Sequence, residues 1–505
     1  MLSKLIGTLV TVFYVLYILY KYVCFNLWTK EEISDKKPVA PINDLISLLK
    51  GNLSIGEVFQ NAYLKYKACR IFGMYAFFKP TLIITNPHIM QTVLSTKFKC
   101  FQDRGVFCDE KVDPMSTHLF SMSGQKWRNL RSKLTPYFTL GKIKQSFMII
   151  KESSEELQKN LEGKAQKKDC IDIKDMFERY TMDIIMATAF GIQSNCIKQQ
   201  NNKFKYWGKQ VFGEESIWKT LFMFTPNVMK FFSIPFTDRK TSKFFMELFQ
   251  ENVNYRQNNN IIRKDFMNVL IQLMEKGFVN NEKDVIGDLS DVNKLTIAEA
   301  AAQAFGFFLA GYETSATTAS YCLYELACNS DIQNKVRTEI DELLEKHGEI
   351  SYEAANEMIY FQNVINETLR KYPPLSILFR KCTRDMDLSD TDIHISKETI
   401  VIIPVLGLHR DPTIYPDPDK FDPERFTEAN KATRHSYAYL PFGEGPRMCM
   451  GMKFAFLQIK VGLAKLLLKY KFKPHPKTSI PLTLDKKSVL IVTAKGGIHL
   501  TIEQR

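Results

Sequence analysis

Hydrophobic positions along the chain recur mostly at helical spacing. Apolar residues at intervals of three and four predict amphipathic helices over roughly 141–162, 171–190, 240–277, 296–328 and 330–346. Two apolar runs, Phe72–Phe78 and Thr81–Asn86, predict strands joined at Lys79-Pro80, and Asn86 then caps a helix over 86–95. The stretch 399–412 begins as a strand and breaks at Gly407. The pattern therefore predicts a mainly α chain with small β-sheets, an α+β fold.

The N-terminal segment is apolar over a length that suits a membrane. Leu5 to Tyr20 contains no charged residue, and the chain stays largely apolar after Lys21. We expect a single-pass anchor over 1–28, with Lys21 reaching the interface. A cleaved signal peptide is the alternative, but no small-residue cleavage site stands near Lys21.

The charges that flank this segment predict its orientation. More lysines follow the segment than precede it, which places the body of the protein in the cytosol. A basic and proline-containing linker, 29–41, then leads into one globular domain, 42–505. We expect the endoplasmic reticulum membrane as the location.

Composition narrows the classes of partner. The formal net charge of +13 fits a lysine-rich solvated surface, or attraction to anionic lipid or to an acidic protein. Dense Lys/Arg runs with interleaved aromatics are lacking, which argues against nucleic acid. The 10 cysteines form no CxxC pair and no zinc-type spacing with histidine, as expected of a reduced, cytosol-facing protein.

One segment, Trp218 to Phe236, is rich in aromatics and methionine and is interrupted by Pro226 and Pro235. As a buried loop it is ordinary core. As an exposed patch it is a second membrane contact or the lid of an apolar channel. We favour the membrane contact because the chain is already tethered.

A glycine-rich loop presents one cysteine. The sequence PFGEGPRMCMG (441–451) places Cys449 just before a helix over 451–470, where backbone N–H dipoles favour a thiolate. A thiolate is one of the few protein ligands of haem iron, and it favours O–O cleavage. Arg447 would then face a haem propionate. Taken alone, Cys449 also fits a nucleophile, but no partnering Cys-His motif stands nearby.

Two further patterns place charges on helix faces. Glu367 and Arg370 lie three apart in an apolar helix stopped by prolines, which predicts a buried pair rather than the usual surface pair. Arg425, in FDPERF, is expected to complete a Glu-Arg-Arg network. Trp127 and Arg131 share a face and could donate to a second propionate, although this spacing is also common on surfaces.

The stretch FFLAGYETSATT (307–318) predicts a tightly packed central helix with a polar turn. Burying the polar side chains of Glu313 and Thr314 in such an apolar run costs free energy, so we expect both residues to have a functional role. We expect the Thr314 hydroxyl to bond to the Ala310 carbonyl and Gly311 to let the helix open, which would make a notch for dioxygen.

Together these patterns resemble a cytochrome P-450, a haem-thiolate monooxygenase. PFGEGPRMCMGMKFA, FFLAGYETSATT, NVINETLRKYPPL and GQKWRNLRSKLTPYF are similar to the microsomal insect-type branch, which is related to vertebrate drug-metabolising members. The resemblance covers almost the whole chain, including the anchor, and implies the P-450 fold around a buried haem. Met448 and Met450 depart from the smaller or more polar residues that are usual beside the cysteine.

The resemblance also implies roles for individual residues. Cys449 is the proximal ligand of the iron, and Glu313 with Thr314 is the acid-alcohol pair that delivers protons to bound oxygen. Glu367, Arg370 and Arg425 fix the fold behind the haem. The residues implied to bind haem b are Cys449, Arg447, Trp127, Arg131, Arg380 and Phe442. The apolar residues implied to line the substrate pocket are Phe107, Leu119, Phe305, Phe308, Ala310, Leu375, Ser376 and Ile377.

The implied reaction inserts one atom of O₂ into a lipophilic small molecule, either a xenobiotic or an endogenous lipid or hormone. A Rossmann GxGxxG is lacking, so electrons from NADPH are expected through a separate flavoprotein reductase, with a small haem electron-transfer protein as a further partner. Lys126, Lys133 and Lys453 are expected to dock the reductase, unless they are simply solvated. A membrane-tethered haem-binding protein without turnover is the alternative function.

Overall fold

The computed structural model describes residue 48 and residues 50–505, apart from 77–78, 213–223, 264, 280–293, 389–392 and 489–490, with some residues between 7 and 18. The linker 29–41 and most of the expected anchor lie outside the described residues. Among the residues that are described, none of the helices combines the length and apolarity that crossing a bilayer requires.

Helices make up most of the described chain. Their bounds are α1 Ile55–Tyr66, α2 Pro87–Gln91, α3 Gly124–Leu134, α4 Leu140–Asn160, α5 Glu162–Gln166, α6 Ile173–Ile185, α7 Lys203–Phe212, α8 Pro226–Phe231, α9 Arg239–Asn258, α10 Phe266–Glu275, α11 Ile297–Cys328, α12 Ser330–His347, α13 Tyr352–Glu357, α14 Ile359–Lys371, α15 Val405–His409, α16 Glu428–Ala432 and α17 Met452–Lys469. The predicted helices over 141–162, 171–190, 296–328 and 330–346 are confirmed as α4, α6 with the turn that follows it, α11 and α12.

The strands form small sheets at the margins of the helical body. Their bounds are β1 Ile71–Ala76, β2 Lys79–Ile84, β3 Cys170–Asp172, β4 Leu378–Lys381, β5 Met386–Asp387, β6 His394–Ile395, β7 Ile400–Ile403, β8 Tyr470–Pro474 and β9 His499–Gln504. One sheet has the order β1-β2-β7-β4, in which β2 and β7 are parallel, a second has the order β3-β9-β8, and β5 pairs with β6. The predicted strand pair at 72–86 is confirmed as the antiparallel pair β1 and β2.

The long helix α11 runs through the middle of the fold. A capping box starts it, in which Thr296 accepts from the Glu299 N–H and Glu299 accepts from the Thr296 N–H. Helices α6, α9, α10, α14 and α17 pack around it, so most of its 32 residues are buried. This surrounding shell of helices explains why apolar residues occur on every side of α11 and are not confined to one stripe.

Two boundaries differ from the prediction. The segment 240–277 is two helices, because Asp265 caps a new helix by accepting from the Asn268 N–H. The segment 399–412 changes from strand to helix at Pro404, and Gly407 lies inside α15. Gly407 is needed there for close packing, since an added Cβ would come within 2.9 Å of Tyr63 on α1.

The aromatic segment 218–236 is described only from Phe224 onward. Met229 on α8 is buried, and Phe224 stacks near Phe59 with ring centroids 6.1 Å apart. Phe231 and Phe232 are 81% and 66% exposed. The described part of the segment is therefore a helix that is anchored by its apolar inner side and carries two phenylalanines on its outer side.

Candidate functional site

The cysteine loop is shaped by two glycines. Gly443 and Gly445 have φ angles of 67° and 73°, which glycine adopts without strain. A Cβ at Gly445 would also collide with the Leu94 carbonyl oxygen. These turns allow the Cys449 N–H to donate to the Phe442 carbonyl at 2.9 Å, which fixes the cysteine just before α17.

The Cys449 thiol lies in a mixed electrostatic environment. Burial raises its pKa, whereas the Gly451 N–H and the guanidinium groups of Arg131 and Arg104 lower it. Cys449 is enclosed by protein and yet keeps accessible surface. That surface therefore faces an interior space. Burial has the largest effect and raises the pKa of the thiol overall, and the nearby donor and positive charges offset this in part.

Four arginines surround this space: Arg104, Arg131, Arg380 and Arg447. Burial, and then the charges of other arginines in this group, lower the pKa of Arg104 and that of Arg447, and the charges of Arg131 and Arg104 act on Cys449. Burial and Arg380 lower the pKa of Arg447 to about 9, and burial lowers that of Arg380 to about 10. In the part of the chain that the structure describes, the carboxylate paired with this group is Asp103, whose Oδ1 lies 3.7 Å from Arg447 Nη2.

Arg447 is held rigidly at the centre of this group. It donates to the carbonyls of Gln102, Leu119 and Met122 at 2.8, 3.2 and 2.7 Å. Its guanidinium carbon lies 3.9 Å from the centroid of the Trp127 ring, a cation–π contact. The sequence predicted that both residues serve one ligand, and the structure brings them into direct contact.

This donor set fits haem. Buried like charges are unfavourable unless an anion joins them, and haem brings two carboxylates together with an iron that takes a thiolate. Arg380 is 2% exposed, and its Nε has no hydrogen-bond partner. Cys449 would hold the iron, and Arg131, Arg380, Arg447 and Trp127 would hold the carboxylates. Phe442 packs against Phe456, with ring centroids 5.2 Å apart, beside the cysteine.

Arg104 belongs to this group but was missed by the sequence analysis. Its Nη1 donates to the Phe120 carbonyl at 2.9 Å and its Nη2 to the Arg447 carbonyl at 3.2 Å. An isolated arginine in an irregular loop has no spacing pattern that marks it. Its only signal in the sequence is a charged pair, Asp103-Arg104, in a short stretch between Phe101 and Val106.

Helix α11 contributes a polar turn in its middle. Thr314 Oγ1 donates to the Ala310 carbonyl at 2.6 Å, as the sequence predicted. Ala310 is exposed and Thr314 partly exposed, although most of the helix is buried, so this turn borders an open space. The helix is continuous here, contrary to the expected opening. Gly311 instead allows close packing of α6, because an added Cβ would lie 2.5 Å from Ile185 Cδ1.

Glu313 points to a different neighbour. Lys174 on α6 donates to Glu313 Oε1 and to Thr317 Oγ1, both at 2.6 Å. Successive side chains on a helix diverge by about 100°. Glu313 is therefore paired with α6, while the adjacent Thr314 hydroxyl remains on the open turn.

The expected pocket residues fall into separate surroundings. Phe305 and Phe308 both pack on Phe245 of α9, with ring centroids 4.9 Å apart, so much of their surface belongs to the core. Phe107 and Ile377 share a buried cluster beside the β1-β2-β7-β4 sheet. Ser376 packs on Gly56 of α1. Leu119 and Leu375 are partly buried, and Ala310 is exposed.

His118, which the sequence analysis did not single out, is buried in this region. It packs against Gly306 of α11, where an added Cβ would lie 2.6 Å from the His118 Cβ. Burial and Arg104 lower its pKa to about 4, so the imidazole is neutral at physiological pH.

The Glu367 and Arg370 pair lies behind this site and is fully buried. Arg370 donates to Glu367 through Nε at 2.7 Å and Nη2 at 2.8 Å, and to the carbonyls of His409 and Pro418. Arg425 Nε lies 3.5 Å from Glu367 Oε1. The three residues thus form one charged network that joins α14 to the segment before the cysteine loop.

Comparison with known proteins agrees with this geometry. The family model described as Cytochrome P450 matches residues 38–501. Cytochrome P450 6k1 of Blattella germanica is 37% identical over 495 residues, covering 96% of this chain and 94% of the relative. Probable cytochrome P450 6a23 of Drosophila melanogaster is 41% identical over 458 residues, covering 89% of each. Probable cytochrome P450 6a14 of the same fly is 37% identical over 490 residues, covering 95% and 96%. The chain therefore belongs to the cytochrome P450 family and is a haem-thiolate monooxygenase.

Proposed function

We propose that this monooxygenase oxidises lipophilic small molecules with electrons from an NADPH-dependent flavoprotein reductase, while anchored to the endoplasmic reticulum membrane with its catalytic domain in the cytosol. The observation that carries the proposal is the thiol of Cys449 beside a group of four arginines, of which Arg380 and Arg447 are buried. That combination suits an iron porphyrin with two carboxylates and supports Cys449 as the side chain that would hold the iron.

Each residue of the site has a defined task in this reaction. When bound, haem supplies the activation of dioxygen. Cys449 would hold the iron as a thiolate, and the Gly451 N–H and the Arg131 guanidinium would stabilise that charge. Thr314 presents its hydroxyl on the open turn of α11, while Glu313 on the next face carries the acid function. Protons are thus moved by two side chains that need not touch each other.

The substrate class is inferred from the apolar residues expected to line the pocket. Leu119 is partly buried, Phe107 and Ile377 belong to the apolar cluster beside the β1-β2-β7-β4 sheet, and His118, which packs on α11, is neutral. Such a lining favours lipophilic molecules. The same lining is compatible with xenobiotics and with endogenous lipids or hormones.

Reductase docking is proposed at the exposed lysines Lys126 and Lys453, which lie on the segments next to the cysteine loop. An acidic flavoprotein would be attracted to them, and salt would screen the attraction. We expect Lys126→Glu with Lys453→Glu to slow reductase-supported turnover and to flatten its salt dependence. Lys243→Glu on α9, 74% exposed at its side chain, is the matched control. Unchanged kinetics in the double variant would remove this assignment.

Membrane attachment is proposed from two features. Residues 5–20 carry no charge, and Phe231 with Phe232 extends an apolar surface outward from α8. We expect a chain lacking residues 1–28 to remain partly bound to liposomes. Adding Phe231→Ser and Phe232→Ser should release it. Full release by the truncation alone would exclude the second contact.

The experiment that tests the function is spectroscopic and then kinetic. The reduced protein with carbon monoxide should show the difference spectrum of thiolate-ligated haem, and Cys449→Ser should lose it. NADPH, purified reductase and 7-ethoxycoumarin, a lipophilic fluorogenic probe, should then yield 7-hydroxycoumarin. A thiolate spectrum without product from this and other lipophilic probes would favour the haem-binding function without turnover.

A further inference from the structure

A second carboxyl group lies beneath the central helix next to Glu313. Glu178 follows Lys174 by four residues on α6, so both side chains face α11. Glu178 is 9% exposed, and its Oε2 has no hydrogen-bond partner. The Tyr312 hydroxyl donates to the Glu178 carboxyl group. Two acids, one lysine and one tyrosine thus form a buried cluster on the side of α11 that faces α6.

Among the residues that the structure describes, Glu178 forms no salt bridge with a lysine or arginine. Burial and the Glu313 carboxylate raise its pKa, and Lys174, Lys209 and Lys205 lower it. Each of these lysines is already engaged. Lys174 pairs with Glu313, and the other two pair with Asp175 on the outer side of α6.

We propose that Glu178 stores a proton and resupplies Glu313 during turnover. The proposal rests on the proposed function in that Glu313 is taken to carry protons to the site. Two neighbouring buried carboxyl groups favour holding one proton between them, because ionising both places like charges together. Glu178 acts through Glu313 and does not itself touch the reacting atoms.

The transfer is a proton movement and needs no other reactant. The O–H bond of Glu178 breaks, and its proton binds the carboxylate of Glu313, which then passes that proton on toward the site. Glu178 is left as a carboxylate, which accepts the Tyr312 hydrogen bond and faces the Lys174 ammonium. Lys174 is 20% exposed at its side chain, so water at that edge can return a proton to Glu178.

Infrared difference spectroscopy tests the stored proton without turnover. The haem-loaded full chain is titrated across neutral pH, and the C=O stretch of a protonated carboxyl group is followed in H₂O and D₂O. We expect a band that disappears as pH rises, that Glu178→Gln removes and that Glu313→Gln moves to lower pH. Glu156→Gln, at an acid paired with Lys198 on the surface, should leave the band intact.

Tyr312→Phe supplies a second variant that does not remove the acid. Loss of the hydroxyl donor destabilises ionised Glu178, so the band should persist to higher pH. A band that survives Glu178→Gln, or that ignores both Glu313→Gln and Tyr312→Phe, would overturn the proposal.

Turnover distinguishes proton supply from a structural role. With reductase and 7-ethoxycoumarin, Glu178→Gln should lower kcat about tenfold at unchanged KM, raise the solvent deuterium isotope effect, and divert electrons to hydrogen peroxide. Glu178→Asp should restore most of the rate. A variant that is merely less stable, with the wild-type isotope effect and pH profile, would contradict the proposal. If reductase gives no turnover even in the wild type, the proposed function fails, while the infrared result still decides whether Glu178 holds the proton.

Discussion

Replacing Glu367 with glutamine tests the charged network behind the site. Glu367→Gln keeps the shape of the side chain and leaves the Arg370 charge buried without its counter-ion. Glu367 and Arg370 are both 0% exposed at their side chains, so water cannot compensate. We expect a large loss of stability with little change in structure.

The magnitude follows from the contacts. Glu367 accepts two charged hydrogen bonds from Arg370 and one from the Asp422 N–H at 3.0 Å. Breaking a buried pair by removing one partner costs about 3–5 kcal/mol. The carbonyls of His409 and Pro418 still accept from Arg370, which places the expected loss near the lower end of that range, about 3 kcal/mol. Burial also raises the pKa of Glu367 in spite of Arg370, which shows that desolvation opposes the pair.

Urea unfolding followed by tryptophan fluorescence measures this loss. The double variant Glu367→Leu with Arg370→Met should recover part of the stability that either single change removes, because the Arg370 charge is removed together with its partner, although Arg425 still loses the Glu367 carboxylate. Lys346→Met is the control, since Lys346 forms a 2.6 Å pair with Glu357 that is largely exposed, and its midpoint should not move. Losses that simply add in the double variant, or a Glu367→Gln midpoint equal to wild type, would refute this reasoning.

Three further predictions concern other parts of the fold. Burial raises the pKa of Asp113 to about 6, so the folded state favours the protonated acid and wild-type stability should fall as pH rises from about 4 to about 6. Asp113→Asn should flatten that part of the pH profile of urea midpoints and add about 2 kcal/mol of stability at pH 7; an unchanged profile would contradict this. Arg104→Met should speed haem transfer to apomyoglobin about tenfold, since one charge-assisted contact is lost, whereas an unaltered rate would place Arg104 outside the haem site. Gly445→Ala should abolish haem incorporation, read from the Soret absorbance, because its Cβ would strike the Leu94 carbonyl, and normal loading would refute that packing argument.

The positions of most long helices were predicted well, because a helix that buries one side carries apolar residues at intervals of three and four, and this spacing is visible in the sequence. Helix α11 is the clearest case, because its apolar run predicted the helix over 296–328, and the structure shows that a capping box at Thr296 starts it. The prediction was wrong where one residue decides the boundary. Asp265 restarts a helix inside 240–277, and Pro404 ends a strand earlier than Gly407 suggested.

For the site, the sequence identified motifs but not the directions in which their side chains point. The Thr314 hydroxyl bond to Ala310 depends on helix geometry alone and was predicted correctly. The partner of Glu313 could not be predicted, because Lys174 is distant in the chain and meets Glu313 only after α6 packs on α11. The role of Gly311 was misread for the same reason, since its close neighbour is Ile185 on that helix.

The charge balance of the site explains why its residues are spread over unrelated segments. A single helix or loop carrying four arginines would repel itself and stay solvated. Here Arg104, Arg131, Arg380 and Arg447 come from a loop, helix α3, strand β4 and the cysteine loop, and carbonyl groups of neighbouring segments bind Arg104 and Arg447. Within its own segment each arginine has no neighbouring arginine of this group to repel it, and the four charges come together only when the chain has folded. The attraction for an anionic cofactor therefore develops with folding, which is why haem binding and the stability of the fold should rise and fall together.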